Sequence, residues 1–118
     1  MPIDLREQYF GTEIEMTGIT RKQAAEIVAG MFRTTPYHQS SYDSWCVKDA
    51  DGKEWKFSRD VSIEAQRRYQ RTLCPAGDEY RTEMVSPKLA YAEMEKLQEV
   101  VRQLRRGGAR VNHSCGMH

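Results

Sequence analysis

An alternating pattern near the start of the chain constrains the fold more than any other feature. Within residues 8–17, Phe10, Thr12, Ile14 and Met16 alternate with Gly11, Glu13, Glu15 and Thr17. A period of two residues is that of a β-strand, whose successive side chains point to opposite faces of a sheet. One face of this strand suits a core and the other suits water, so the pattern predicts a sheet that is covered mainly on one side.

Two later segments have the period of an amphipathic helix. Thr20 can cap the first helix, Gln23 can complete a capping box, and the apolar stripe continues to about Arg33. A second stripe predicts a helix over residues 90–106, which the Gly107–Gly108 pair ends. Both helices carry one apolar face and therefore need a sheet or each other to pack against.

Short strand-like segments lie between and after these helices. Strands are predicted over residues 43–48, 53–59 and 79–85, and the chain is extended again over 109–111. Asp51–Gly52 is a good hairpin turn between the first two, because both residue types tolerate positive φ. The order predicts an α+β fold in a single domain, residues 1–118, with a mainly antiparallel sheet and two helices packed on one face.

Composition excludes several functional classes. Eighteen basic and seventeen acidic side chains among 118 residues give a net charge of +1, which argues against binding to nucleic acid through phosphate contacts. No apolar run is long enough to span a membrane and no signal peptide is visible. Three cysteines at irregular spacing favour a reducing compartment over a disulfide scaffold. We therefore expect a soluble cytoplasmic domain with no membrane partner.

The strongest candidate for a functional site is the pair Glu13 and Glu15. Two residues apart on a strand, their carboxylates share one face about 6.6 Å apart. Like charges so placed favour a cation between or above them, and Mg²⁺ suits carboxylate oxygens while leaving positions for water and phosphate. The alternative from spacing alone is a solvated strand face. Glu83, on the predicted strand 79–85, could complete a three-carboxylate patch if the two strands are neighbours, or could pair with Arg81.

Other polar residues have weaker claims. Asp60 and Ser62 follow a predicted strand, where a side-chain-capped turn is the usual explanation. Lys48 could meet a phosphate or belong to the solvated face of a hairpin. Cys115, His113 and His118 could hold zinc, although four ligands at the usual spacings are not present. A surface tail is the alternative for this last group.

An ordered set of segments resembles the amidoligase family. The set consists of Phe10–Arg21 (FGTEIEMTGITR), Ser44–Asp49 (SWCVKD), Trp55-Lys56, Asp60–Ile63 (DVSI), Glu83–Pro87 (EMVSP), Leu97–Val101 (LQEVV), Asn112, and Ser114–His118 (SCGMH). The segments span nearly the whole chain, from Tyr9 to His118. This family is a branch of the carboxylate–amine ligases with a glutamine-synthetase-like catalytic fold.

The resemblance implies ATP-dependent amide-bond formation through an acyl phosphate, with a carboxylate and an amine as small-molecule or peptide substrates. It implies that Glu13 and Glu15 bind the Mg²⁺ that holds the ATP phosphates and that Glu83 contributes from a neighbouring strand. His118 would be the first histidine of the family's His-x-His strand, facing metal or nucleotide. Asp60, Ser62 and Lys48 are the candidate contacts to nucleotide or substrate.

The sequence departs from the family at its end, because the second histidine and later catalytic strands do not follow. This predicts an incomplete N-terminal portion of the catalytic domain that is inactive or very weak alone. An unpaired sheet edge would then be available for self-association. The alternative function is a non-catalytic binding or assembly module that keeps part of the ligase fold.

Overall fold

The computed structural model describes residues 9–40 and 43–116. Its strands, in chain order, are β1 Tyr9–Phe10, β2 Glu13–Met16, β3 Tyr37–Gln39, β4 Ser44–Lys48, β5 Glu54–Ser58, β6 Gln66–Tyr69, β7 Thr72–Pro75, β8 Thr82–Val85 and β9 Leu89–Ala90. The two α-helices are α1 Arg21–Phe32 and α2 Met94–Arg106. Single 3₁₀ turns at Asp78–Tyr80 and Tyr91–Glu93 precede β8 and α2.

The main sheet has five strands in the order β2-β8-β5-β4-β3, and every pairing in it is antiparallel. Two small pairs, β1 with β9 and β6 with β7, stand beside it. The α+β class and the mainly antiparallel sheet are thus confirmed. The hairpin predicted at Asp51–Gly52 is also present, since β4 and β5 pair in register with Trp45 opposite Phe57.

The core lies between the helices and one face of this sheet. Trp55 and Phe57 are fully buried there, and Phe32 of α1 packs its ring 5.6 Å from the ring of Trp55. Val100 and Leu104 of α2 belong to the same buried cluster. Both helices therefore cover one face, as predicted, and the opposite face, here called the outer face, carries Glu13 and Glu15 of β2 and Glu83 of β8.

The ends of the helices follow the local sequence. The Thr20 hydroxyl accepts the N–H of Gln23, and the Gln23 side chain accepts the N–H of Thr20, so the predicted capping box is confirmed. Helix α1 ends at a left-handed Arg33, with φ of 56°. Helix α2 ends at the predicted glycine pair, where Gly108 takes a φ of +116° that favours glycine.

Asp49 fixes the β4–β5 hairpin. Its Oδ1 accepts the N–H groups of Asp51 and Lys53, and its Oδ2 accepts the indole N–H of the buried Trp55 at 3.1 Å. Burial opposes ionisation of this carboxyl, but these hydrogen bonds and the nearby Lys96 ammonium lower its pKa below the ordinary value. The hairpin turn and the core are thus tied through one side chain.

Several elements differ from the sequence predictions. Strand β3 and the hairpin β6–β7 were not predicted, because their side chains are exposed or only partly buried and show no apolar alternation. Helix α2 begins at Met94 rather than at residue 90, because the unpredicted strand β9 and a 3₁₀ turn come before it. Strand β8 begins at Thr82 rather than at residue 79, since a 3₁₀ turn occupies Asp78–Tyr80.

The cysteines Cys46, Cys74 and Cys115 are free thiols. Neither of the two described helices has the length and apolar character that crossing a membrane requires.

Candidate functional site

Strand pairing brings the three predicted glutamates together on the outer face. Strands β2 and β8 are neighbours, and Glu15 lies directly opposite Glu83. Glu13 is two residues from Glu15 on the same face, opposite Val85. The condition that the sequence left open, that the strand of Glu83 lies beside the first strand, is met.

Two residues of β5 extend this surface. Ser58 is paired with Glu83, and Lys56 is paired with Val85, so both side chains share the outer face with the glutamates. Lys56 is only partly exposed and forms no ion pair within the described part of the chain. Lys56 is therefore a cation on the same face of the sheet as the glutamates, and its strand lies about two strand spacings or 10 Å from β2.

Asp60 joins the glutamates from the loop after β5. Its Oδ1 accepts the N–H and the hydroxyl of Ser62 at 2.9 and 2.7 Å, which is the side-chain-capped turn that the sequence suggested. Its charge also reaches Glu83 and opposes ionisation of that carboxyl. We call Glu13, Glu15, Glu83 and Asp60 the carboxylate cluster.

The electrostatics of the cluster appear in the titration of Glu83. Burial, the adjacent carboxylate of Glu13, and the charges of Asp60 and Glu15 together raise the pKa of Glu83 to about 7 from an ordinary value of 4.5. Near neutral pH this carboxyl is therefore held between its two protonation states. Added positive charge would favour its ionised form.

The arginine nearest in sequence to Glu83 is engaged elsewhere. Arg81, the alternative partner of Glu83, donates instead to the carbonyl oxygen of Ile63 at 2.8 Å and to Asp78 Oδ1 at 2.9 Å. Within residues 9–40 and 43–116, no lysine or arginine forms an ion pair with Glu13, Glu83 or Asp60. The interpretation of Glu83 as an arginine-paired surface residue is therefore wrong.

This donor set suits Mg²⁺ in kind. The cluster offers only carboxylate oxygens, and Mg²⁺ commonly takes one or two protein carboxylates and completes its shell with water and phosphate oxygens. Among the described residues, no three histidine, cysteine, aspartate or glutamate side chains converge closely enough to hold a metal ion by themselves. The described carboxylates therefore do not form a closed metal cage by themselves.

Lys48 lies away from the cluster. It is exposed at the end of β4, opposite Glu54, and three strand spacings (about 14 Å) separate its strand from β2. The structure does not bring Lys48 together with Glu13, Glu15 and Glu83.

The C-terminal segment runs along the outer edge of β2. Thr17 and Arg110 exchange two backbone hydrogen bonds of 2.8 Å, and the Glu15 N–H donates to the carbonyl oxygen of Gly116 at 2.9 Å. This edge, expected to be unpaired, is therefore partly bonded by the chain itself. The described tail ends beside the carboxylate cluster, and the predicted site residue His118 lies outside the described residues.

The side chain of Asn112 holds the described part of the tail in place. The Asn112 side chain donates to the carbonyl oxygen of Glu64 and accepts from Ser114, while His113 forms an ion pair with the Glu64 side chain at 3.2 Å. Cys115 contacts the same Asn112 side chain through its Sγ. The zinc hypothesis also needs His118, so it stays a prediction.

Thr17 is a positioning residue that the sequence analysis missed. Its hydroxyl accepts the N–H of Gln66 at 2.8 Å and lies 3.0 and 2.9 Å from the carbonyl oxygens of Gln66 and Tyr80. Thr17 shares the face of Glu13 and Glu15, so it ties the start of β6 and the loop before β8 to the cluster end of β2. The alternation of residues 8–17 predicts that Thr17 shares a face with Glu13 and Glu15. Its hydrogen-bond partners, Gln66 and Tyr80, could not be predicted from the sequence.

The raised pKa of Glu83 predicts a loss of stability with rising pH. The folded state keeps a proton that the unfolded state releases, so the free energy of unfolding falls between about pH 4.5 and 7. We expect Glu83→Gln to stabilise the protein by about 1–2 kcal/mol near pH 8, after allowance for partial exposure, and to change little near pH 4.5. Urea unfolding at both pH values measures this. The prediction is contradicted if Glu83→Gln changes the free energy of unfolding equally at the two pH values, or if the surface control Glu95→Gln has the same effect.

Comparison with known proteins adds one positive result. A family model described as "Putative amidoligase enzyme" matches residues 6–118, nearly the whole chain. Searches of curated proteins and of solved structures gave no match, so the glutamine-synthetase-like fold stays a prediction. The matched range includes the whole carboxylate cluster and the strands that carry it. The chain belongs to the amidoligase family.

Proposed function

We propose that this chain is an ATP-dependent carboxylate–amine ligase with a glutamine-synthetase-like catalytic fold. The observation that carries the proposal is the carboxylate cluster, which lies on the outer face with no lysine or arginine paired to Glu13, Glu83 or Asp60 among the described residues. Family membership gives the reaction class, amide-bond formation. The cluster supplies the kind of site that a magnesium-bound nucleotide needs.

The reaction proposed has two steps. An oxygen of the substrate carboxylate attacks the γ-phosphorus of ATP, the bond to the β-phosphate oxygen breaks, and ADP leaves. The amine then attacks the acyl carbon, inorganic phosphate leaves with the electron pair of the broken C–O bond, and the amine gives up a proton. Both steps depend on positioning and charge neutralisation more than on a protein nucleophile.

The residues have distinct roles in this proposal. Glu13, Glu15 and Glu83 would hold Mg²⁺, which neutralises phosphate charge when it is bound. Glu83 would then stay ionised at neutral pH, because a nearby cation offsets the repulsion that raises its pKa. Lys56 faces the same surface from β5 and is better placed than Lys48 to meet phosphate oxygens.

Two further assignments rest mainly on the family resemblance. Asp60 and Ser62 form a preorganised turn beside Glu83 that would border the nucleotide or the acid. His118 is assigned to the metal or the nucleotide by the resemblance alone.

Calorimetric titration with ATP, in the presence and absence of Mg²⁺, tests the proposal. We expect binding that depends on Mg²⁺, and ADP release that increases when a mixture of carboxylic acids and hydroxylamine is added, with hydroxamate as the product. The expectation of weak turnover by the chain alone is tested in the same assay. A folded chain that binds no nucleotide with Mg²⁺, and that associates with itself in sedimentation, would instead favour the assembly module.

A further inference from the structure

A second polar site lies between the β6–β7 hairpin, the start of α1 and the turn after α2. It is a cavity of about 220 Å³, roughly seven times the volume of one water in the liquid. The residues that line it include Arg67, Arg68 and Arg110 and no aspartate or glutamate. Three arginines therefore border a space large enough for a multiply charged small ligand.

These three arginines have no counter-charge from the described part of the chain, where none of them forms an ion pair with a carboxylate. By contrast, Arg59, Arg81 and Arg102 are each paired with a carboxylate. Like charges brought together without counter-charge repel, and a bound anion removes that repulsion.

The backbone holds Arg110 in place. Its Nη1 donates to the carbonyl oxygens of Ala109 and Arg105 at 2.8 and 3.1 Å. Gly18 and Gly108 pack backbone against backbone beside it, and a Cβ at Gly18 would lie only 2.5 Å from the Gly108 carbonyl oxygen. Both glycines have positive φ, so this close approach is possible only without side chains.

The opposite wall is fixed as well. The Thr17 hydroxyl bonds both backbone groups of Gln66, the residue that precedes Arg67. The Arg67 guanidinium stacks 5.7 Å from the centre of the Tyr69 ring, and Arg68 lies on the next position of the same strand. A site whose cationic groups are held by the fold loses less conformational entropy when it binds a ligand.

We propose that this cationic pocket binds a small polyanion through carboxylate or phosphate groups. Guanidinium groups make paired, charge-assisted hydrogen bonds to both kinds of oxyanion. The proposal does not depend on the ligase reaction, because the carboxylate cluster contributes no residue to the pocket. The pocket gives an anion a binding place separate from the magnesium-dependent one.

The probes are inorganic phosphate, pyrophosphate and citrate, titrated without Mg²⁺ and followed by the amide NMR signals of Gly18, Gly107 and Gly108. These glycines line the pocket. We expect pyrophosphate or citrate to shift these signals with saturation at or below about 1 mM. The tighter of the two identifies phosphate or carboxylate as the preferred group.

Matched variants separate a built site from general charge attraction. Arg68→Gln should weaken binding about tenfold, and the double variant that also carries Arg67→Gln should weaken it further. Arg71 lies on the same hairpin but outside the pocket, so Arg71→Gln should leave the affinity unchanged. Glu13→Gln should also leave it unchanged, which keeps this test apart from that of the ligase proposal. The proposal is overturned if the signals show no saturating shift up to about 10 mM ligand, or if Arg71→Gln weakens binding as much as Arg68→Gln does. In the absence of ligand, unchanged chemical shifts of the glycines show that each variant is folded.

Discussion

Replacing Arg21 by methionine is expected to cost roughly 3–5 kcal/mol of unfolding free energy. Arg21 is the first residue of α1, yet only 4% of its side chain is exposed. Its guanidinium donates to the carbonyl oxygens of Asp43, Asp78 and Arg81 and to the carboxylates of Asp43 and Asp78. One side chain therefore fastens the start of α1 to the segments before β4 and β8.

The cost follows from what methionine leaves behind. The carbonyl oxygens of Asp43 and Arg81 lose this donor, while that of Asp78 keeps the N–H of Arg81 at 2.9 Å. A buried polar group without a partner costs about 1–3 kcal/mol. The carboxyl of Asp43 also loses the hydrogen bond that, with that of His38, lowers its pKa. Arg21→Lys keeps the charge but cannot span the same acceptors with a planar fork, so we expect it to recover only part of the loss.

Urea unfolding of the Arg21 variants beside Arg59→Gln measures this effect. Arg59 pairs with the same Asp78, but its side chain is 47% exposed, so its removal should cost less than about 1 kcal/mol. The comparison separates burial from charge, because both arginines meet one carboxylate. If Arg21→Met is no more destabilising than Arg59→Gln, the hydrogen bonds of the buried guanidinium do not stabilise the fold as proposed.

The burial of Arg21 also shows where reading the sequence alone stops. Alternation predicted β4 and β5 because Trp55 and Phe57 must face a core, and the capping box located the start of α1 within a residue. The sequence FGTEIEMTGITR contains Arg21 but gives no sign that it is buried. Its acceptors lie 22 to 60 residues away along the chain, so only the tertiary structure brings them together.

The unpredicted hairpin has a different cause. Strands β6 and β7 stand outside the main sheet, and all eight of their residues are exposed or only partly buried, with no apolar face. Periodicity detects a strand through its buried side, so a strand without one leaves no pattern to find. The hairpin was missed for this reason, although it supplies Arg67 and Arg68 to the cationic pocket.

The carboxylate cluster was predictable in part. The shared face of Glu13 and Glu15 follows from the two-residue period alone. That Glu83 joins them depends on the order of the strands, and that Asp60 joins depends on the path of a loop, so neither is encoded locally. The sequence thus supplied the chemical types at the site, while long-range pairing decided which of them meet.

Glu13→Gln and Glu15→Gln are each expected to weaken magnesium-dependent ATP binding roughly 30- to 1,000-fold, equivalent to about 2–4 kcal/mol. The amide has nearly the shape of the carboxylate but no negative charge for Mg²⁺. Glu15 is 7% exposed and lies directly opposite Glu83, so its charge acts in a partly dry environment where Coulomb interactions are stronger. ATP without Mg²⁺ should bind the variants no more weakly than the original chain, because the lost charge repels phosphate.

The control is Glu26→Gln, the same chemical change at an exposed position of α1, the helix on the opposite side of the sheet from the cluster. All three variants are titrated with ATP in the presence and absence of Mg²⁺. A destabilised fold would weaken binding in both titrations, whereas the loss of a metal ligand would weaken only the binding with Mg²⁺. Glu83→Gln tests whether the third carboxylate is also a metal ligand. If it is, this variant weakens only the magnesium-dependent binding. Unchanged magnesium-dependent affinity in both Glu13→Gln and Glu15→Gln would refute the metal role, since these are the two carboxylates that β2 places on the face it shares with Glu83.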